Sequence, residues 1–144
     1  MWFNPIMRWL LRSPLHGFVS KNMMLITYKG RKSGKPYTTP VNYLRIAQDQ
    51  DQFLATTSSR DRVWWRSLRG SVEVTIRLQG KDYPATSEVI EDDQEVAENL
   101  AVYLRQWPAI AKYFDVQLDA EGQPELEDVV NSAKTRVFIK TRLA

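Results

Sequence analysis

Val72-Glu73-Val74-Thr75-Ile76-Arg77-Leu78 alternates apolar and polar side chains over seven positions, then meets Gln79-Gly80-Lys81-Asp82 and continues to Ile90. A two-residue period puts Val72, Val74, Ile76 and Leu78 on one face, the pattern of a strand with one side buried, and the glycine turn folds it back on a partner. Upstream, Met23 to Tyr28 is too apolar on both sides for a half-exposed element and reads as a buried strand. Gly30-Arg31-Lys32-Ser33-Gly34-Lys35-Pro36 is turn chemistry and reads as a hairpin tip, with Tyr37 to Ile46 as a single return strand and Phe53 to Thr57 as a third strand. Thr135 to Thr141 alternates again at the chain's end. Six antiparallel strands with interspersed helices imply an α+β, mainly β class: a small barrel with flanking helices.

The helices have their own signals. Trp64, Trp65 and Leu68 change the period to helical within Arg60 to Gly70, where Asp61 is placed to cap one or two turns. After Glu91-Asp92-Asp93, a stripe of Val96, Leu100, Tyr103, Leu104 and Trp107 predicts an amphipathic helix, followed by short helices over Pro108 to Phe114 and Leu126 to Val130. Asn4-Pro5 opens another over Trp2 to Leu11. The expected organisation is one domain over 1–144, with a helical segment at 1–22 and a helical insertion at 92–133 before the last strand.

The 144 residues include no cysteine and one histidine, which removes disulfides, thiolate metal sites and cysteine nucleophiles, and no metal site is expected. The net charge of +3 conceals a division: residues 1–48 hold eight Lys/Arg and no acid, whereas residues 91–130 hold eleven acids and two bases. The first third is therefore anion-facing, and charge alone does not choose among nucleic acid, an anionic membrane and a phosphorylated small molecule. Apolar runs fall well short of a membrane span and no signal-peptide pattern opens the sequence, so a cytoplasmic location is expected.

Four features bear on chemistry. The Gly30 loop is not a Walker loop, because Pro36 stands where Ser or Thr should follow the lysine and a strand follows where a helix should. It is either a solvated tip or a cradle in which backbone amides, Ser33 and the cations hold a phosphate or carboxylate. Trp64 and Trp65 beside Arg62, Arg66 and Arg69 are either core and solvated cations or an aromatic wall with an anion clamp. His16 lacks an identifiable acid or nucleophilic serine, and the acids of the C-terminal third read as caps and solvated faces. Anion binding and aromatic surface without a side-chain catalyst point to an enzyme whose chemistry belongs to a cofactor.

The stretch Leu25 to Val41, with Trp64-Trp65-Arg66-Ser67-Leu68-Arg69-Gly70, the Val-x-Val-x-Ile strand, and Asn4-Pro5 and Arg12 to Gly17 near the start, resembles the deazaflavin-dependent nitroreductase family. The resemblance covers residues 4 to 90 well and the acidic remainder poorly. It implies a split β-barrel of the FMN-binding type and a reductase that passes hydride from coenzyme F-420, a planar and polyanionic deazaflavin, to an electron-poor quinone, enone or nitro compound. Carried over by position, Arg31, Lys32 and Ser33 match the loop that meets the cofactor's anionic portion, Thr39, Pro40 and Val41 the strand along it, and Trp65 the tryptophan beside the deazaflavin. Thr57, Ser58, Arg60 and Trp64 complete the implied cofactor-binding set, and Tyr103 and Tyr113 are the substrate-side candidates.

FMN is the alternative cofactor, and a non-enzymatic carrier of a lipid, haem or other ligand is the alternative outside enzymes. A homodimer is expected, as is no engagement of nucleic acid. Trp2, Phe3, Ile6, Trp9 and Leu10, ringed by Arg8, Arg12 and Lys21, form either a helix that covers the barrel or an interfacial helix giving weak attachment at the inner membrane face.

Overall fold

The computed structural model describes residues 23–48 and 50–144; the helix expected over Trp2 to Leu11, and His16, lie outside them. Seven strands are present among these residues: β1 (Met23–Lys29), β2 (Pro36–Asn42), β3 (Leu44–Gln48), β4 (Asp51–Ser59), β5 (Val72–Leu78), β6 (Lys81–Ile90) and β7 (Arg136–Leu143). They form one antiparallel sheet in the order β2-β1-β5-β6-β7-β4-β3. The return strand expected over Tyr37 to Ile46 is thus two strands with different partners, β2 on β1 and β3 on β4. Side-chain alternation continues through the break at Tyr43, and alternation carries no record of which neighbour a strand bonds to.

This connectivity dictates the shape. β2 and β3 are opposite edges of the sheet, yet Tyr43 alone separates them. Two residues of chain span about 7 Å at most, so the sheet must curl until its edges meet at that corner. Thr56 Oγ1 donates to the Asn42 carbonyl at 3.1 Å and ties the corner shut. No β2–β3 ladder forms, so away from the corner the edges part, and the result is a half-barrel split along one seam. β2 bears Pro36 and Pro40, which an edge strand tolerates because its outer amides have no partner to lose.

Two cores follow from strand alternation. Inside the curl pack Met24, Ile26, Leu54, Leu68, Val74, Ile76, Val137 and Ile139. On the other face of β3, β4 and β7, Ile46, Phe53, Ala55 and Phe138 meet Val96, Leu100, Tyr103 and Leu104. These last come from helix α1 (Asp93–Gln106), which precedes a 3-10 helix (Pro108–Phe114) and helix α2 (Leu126–Ala133). Asp92 caps α1 by accepting from the Glu95 amide at 3.1 Å. The other expected cap fails: the 3-10 helix Trp64–Leu68 has Val63 at its cap position with no side-chain bond, and Asp61 instead accepts from the Ser59 hydroxyl.

Candidate functional site

The hairpin tip between β1 and β2 is held by its own backbone. Gly30 N–H donates to the Lys35 carbonyl and Gly34 N–H to the Gly30 carbonyl, both at 2.9 Å, while Lys35 N–H reaches Ser33 Oγ at 3.2 Å. A Cβ on Gly30 would fall 2.6 Å from Tyr37 Cε2, so only glycine lets that ring lie across the loop. Arg31 donates to the Arg69 carbonyl, anchoring the tip to the first 3-10 helix. Lys29, Arg31, Lys32 and Lys35 enter no ion pair with a described residue. From this basic tip an aromatic row runs along the barrel: Tyr37 stacks on Tyr28 with ring centroids 6.1 Å apart, and Tyr28 meets Trp64 at 6.2 Å.

Trp64 opens onto a cleft of about 990 Å³ at the split seam. One wall is Thr39, Pro40, Val41 and Asn42 of β2, the floor is Thr57, Ser58 and Ser59 of β4, and Trp64 and Arg62 flank it. The far wall is Tyr103, Trp107, Tyr113, Phe114 and Arg136. Trp64 Nε1 donates to Ser58 Oγ at 3.1 Å, which fixes the indole against the floor. Tyr103 packs at 6.0 Å against Trp107, Phe114 and Phe138, and burial pushes its phenol well above the ordinary tyrosine value, with Arg136 opposing. Although the chain has seventeen acids, among the described residues no Asp or Glu lines the cleft, and the permanent charges there are Arg62 and Arg136. Aromatic faces, hydroxyls and an uncompensated positive field suit a planar ligand that carries negative charge.

Of the residues singled out from sequence, Thr39, Pro40, Val41, Thr57, Ser58, Trp64, Tyr103 and Tyr113 come together in this cleft, and Arg31, Lys32 and Ser33 stand at the basic tip. Two others stand elsewhere. Trp65 is 3% exposed inside the barrel, its Nε1 bonded to the Ser59 carbonyl at 3.2 Å, so Trp64 is the member of the pair that reaches the cleft. Arg60 commits its guanidinium to the carbonyls of Glu91, Ala133 and Arg136 and to Asp93. The three neighbouring arginines also divide: Arg66 and Arg69 lie over the Trp65 ring at 5.7 and 5.0 Å, and Arg69 makes a two-pronged pair with Glu91. Arg69 holds the Glu91 carboxyl below the usual carboxylate range and leaves only Arg62 facing the cleft. Sequence reading missed Asn42 and Arg136; Phe114 and Trp107 were visible only as apolar residues of the helical insertion.

A family model for the F420H(2)-dependent quinone reductases matches residues 14–121. The chain belongs to that family. It is therefore an oxidoreductase, an F420-dependent reductase, which answers the choice between F420 and FMN and that between an enzyme and a carrier. Among curated proteins none matches. Solved structures share the fold: the FAD and haem binding protein from Mycobacterium smegmatis has a TM-score of 0.51 at 12% identity, over 90% of this chain and 65% of that one. The protein Atu2129 from Agrobacterium tumefaciens, of unknown function, has a TM-score of 0.50 at 14% identity, over 94% of this chain and 58% of that one. A structure described as an F420-H2 dependent reductase, FDR-A, has a TM-score of 0.45 at 17% identity, over 83% and 94% of the two chains. With the fold shared at TM-scores of 0.51 and 0.50, the curled, mainly β sheet of the reductase is a split-barrel form.

Proposed function

We propose that the seam cleft binds the deazaflavin ring of F420 against Trp64, Pro40 and Val41, with its anionic chain running to Arg31, Lys32 and Ser33, and that the electron acceptor is a quinone. The observation that carries this is a cleft that, among the described residues, has no acid in its lining and is joined by the Trp64, Tyr28 and Tyr37 rings to a glycine turn whose cations enter no ion pair there. The residues fit the group, since a planar ring needs apolar and aromatic faces and a phosphate with a polyglutamate chain needs cations at a distance. When bound, the reduced cofactor supplies a hydride. The protein's own part is positioning: Ser58 and the floor hold Trp64, the tip holds charge, and the aromatic far wall excludes water from the acceptor side.

Titration of the protein with F420H2 under anaerobic conditions tests this. Trp64→Ala should weaken binding about two- to tenfold, the value of an aromatic contact of about 0.5–1.5 kcal/mol. Arg31→Ala with Lys32→Ala should weaken it further and flatten its dependence on salt. Saturable FMN binding without F420 binding would refute the assignment. Homodimer formation and weak membrane attachment through residues 1–12 are further proposals. Light scattering should give twice the chain mass, and anionic liposomes should retain the full chain but not a version lacking 1–12. Among the described residues no helix is long and apolar enough to cross a membrane.

A further inference from the structure

The two arginines of the cleft are not equivalent. Arg62 is exposed beside the cofactor wall. Arg136 is half-buried as the first residue of β7, directly opposite Ser59 of the floor. Its guanidinium lies over the Phe114 ring at 4.2 Å, and one nitrogen, Nη2, reaches the Tyr113 carbonyl at 3.4 Å. A guanidinium carries five N–H donors in a rigid fork, so most of this one is unused. The ion pairs among described residues engage Arg60, Arg69, Arg77 and Arg142, and none includes Arg136. Burial pulls its proton affinity down, while Asp115 and Tyr103 act on it through space without an ion-pair contact. An arginine does not discharge in response. The cleft therefore holds a partly desolvated cation whose ring contact fixes its plane and whose remaining donors have no partner among the described residues.

Resting on the functional reading above, we propose that Tyr103, Tyr113, Phe114 and Arg136 form the acceptor subsite, and that Arg136 selects aromatic acceptors bearing a carboxylate. The cofactor's anionic chain does not need this arginine, because the basic tip lies at the other end of the aromatic row, beyond Tyr28 and Tyr37. A planar carboxylate matches the guanidinium fork, and its ring matches the Tyr113 and Phe114 faces. Arg136 falls outside residues 14–121, the stretch that the family model matches, whereas Tyr103, Tyr113 and Phe114 fall within it.

The test uses 2-naphthoate and 2-naphthamide, which have the same ring and nearly the same size and differ in charge. Fluorescence titration of the full chain, with and without saturating F420, should show naphthoate bound about tenfold tighter, as one charge-assisted pair predicts. The preference should disappear in Arg136→Gln, fall but persist in Arg136→Lys, and survive Arg62→Gln. Arg136→Lys retains charge without the fork, so it reads the effect even if the glutamine variant does not fold. Equal binding of the two probes, a preference that follows Arg62, or displacement of naphthoate by F420 would each overturn the assignment. The two levels fail separately: a chain that binds F420 but ignores the carboxylate loses only the acceptor selection, whereas a chain that binds no F420 loses the functional reading and this subsite with it.

Discussion

Replacing Arg60 separates two roles that sequence and structure assign to the same side chain. The family resemblance places it among the cofactor-binding residues. In the fold, Nε donates to the Arg136 carbonyl at 2.8 Å, and Nη2 is shared by the Glu91 carbonyl at 2.9 Å, the Ala133 carbonyl at 3.3 Å and Asp93 Oδ1 at 2.6 Å. One guanidinium thus joins the end of β4 to the entry of α1, the exit of α2 and the start of β7. Hydrogen bonds from a charged donor contribute about 1.5–3 kcal/mol each when well buried. With the side chain 34% exposed and one nitrogen serving three acceptors, Arg60→Ala should cost about 2–3 kcal/mol in total, of which the exposed Asp93 contact supplies about 0–1. In a domain of this size that lowers the thermal midpoint by roughly 5–10 °C. Calorimetry measures it, beside F420 affinity determined well below the midpoint, where the expected change is under about threefold. Arg60→Lys, able to serve one acceptor at a time, should fall between. An unaltered midpoint with a tenfold or greater loss of F420 affinity would refute the reasoning and return Arg60 to the ligand.

Two further outcomes are expected. Ser87 and Thr141, both fully buried and paired across β6 and β7, share a 2.6 Å hydrogen bond, so Thr141→Val strands the serine hydroxyl and should cost about 1–3 kcal/mol in urea unfolding. Adding Ser87→Ala should recover a substantial part, and strict additivity of the two changes would argue against the pair. Asp51 is held below its ordinary value of 3.8 by the hydrogen bond from Arg142, and Glu91 below 4.5 by that from Arg69. A depressed folded value means that the stabilisation is complete above the ordinary value and is lost as pH falls from there through the depressed one, so the urea midpoint should hold from pH 7 to about 5.5 and decline below about 4.5. Asp51→Asn with Glu91→Gln should flatten that decline; an unchanged slope would assign acid unfolding to other groups.

Local patterning made most elements legible. The alternation of Val74, Ile76 and Leu78 against Glu73, Thr75 and Arg77 is the burial pattern of β5, and the uninterrupted apolar run of β1 marks a strand packed on both faces. The stripe from Val96 to Leu104 is the buried face of α1. What the pattern did not carry was partner choice. Trp64 and Trp65 are chemically identical neighbours, and only the 3-10 turn decides that one enters the core while the other faces the cleft. Arg60 and Arg62 were indistinguishable for the same reason: a cation's role depends on which carbonyls lie in reach, and those of Glu91, Ala133 and Arg136 come from distant chain.

The site itself was the least legible part because no local segment contains it. Its β2 wall and β4 floor face each other only because Tyr43 links the two edges of one sheet, a constraint that appears once the order of all seven strands is known. Its far wall comes from the helical insertion, whose Tyr103, Trp107, Tyr113 and Phe114 fall within residues 14–121, and from the first residue of β7, which lies past that stretch. This division has a functional consequence. The tip and seam that suit a planar, polyanionic cofactor lie within the family's common stretch, whereas Arg136 lies beyond it. On the proposed assignment, acceptor choice can change through substitutions at positions 113, 114 and 136 of the far wall without disturbing the ladder between β1 and β2 that carries the basic tip. A chimera that exchanges residues 107–136 with those of another family member should accordingly transfer acceptor preference while F420 affinity stays with the barrel. Transfer of F420 affinity along with that segment would show that the two halves of the cleft do not work independently.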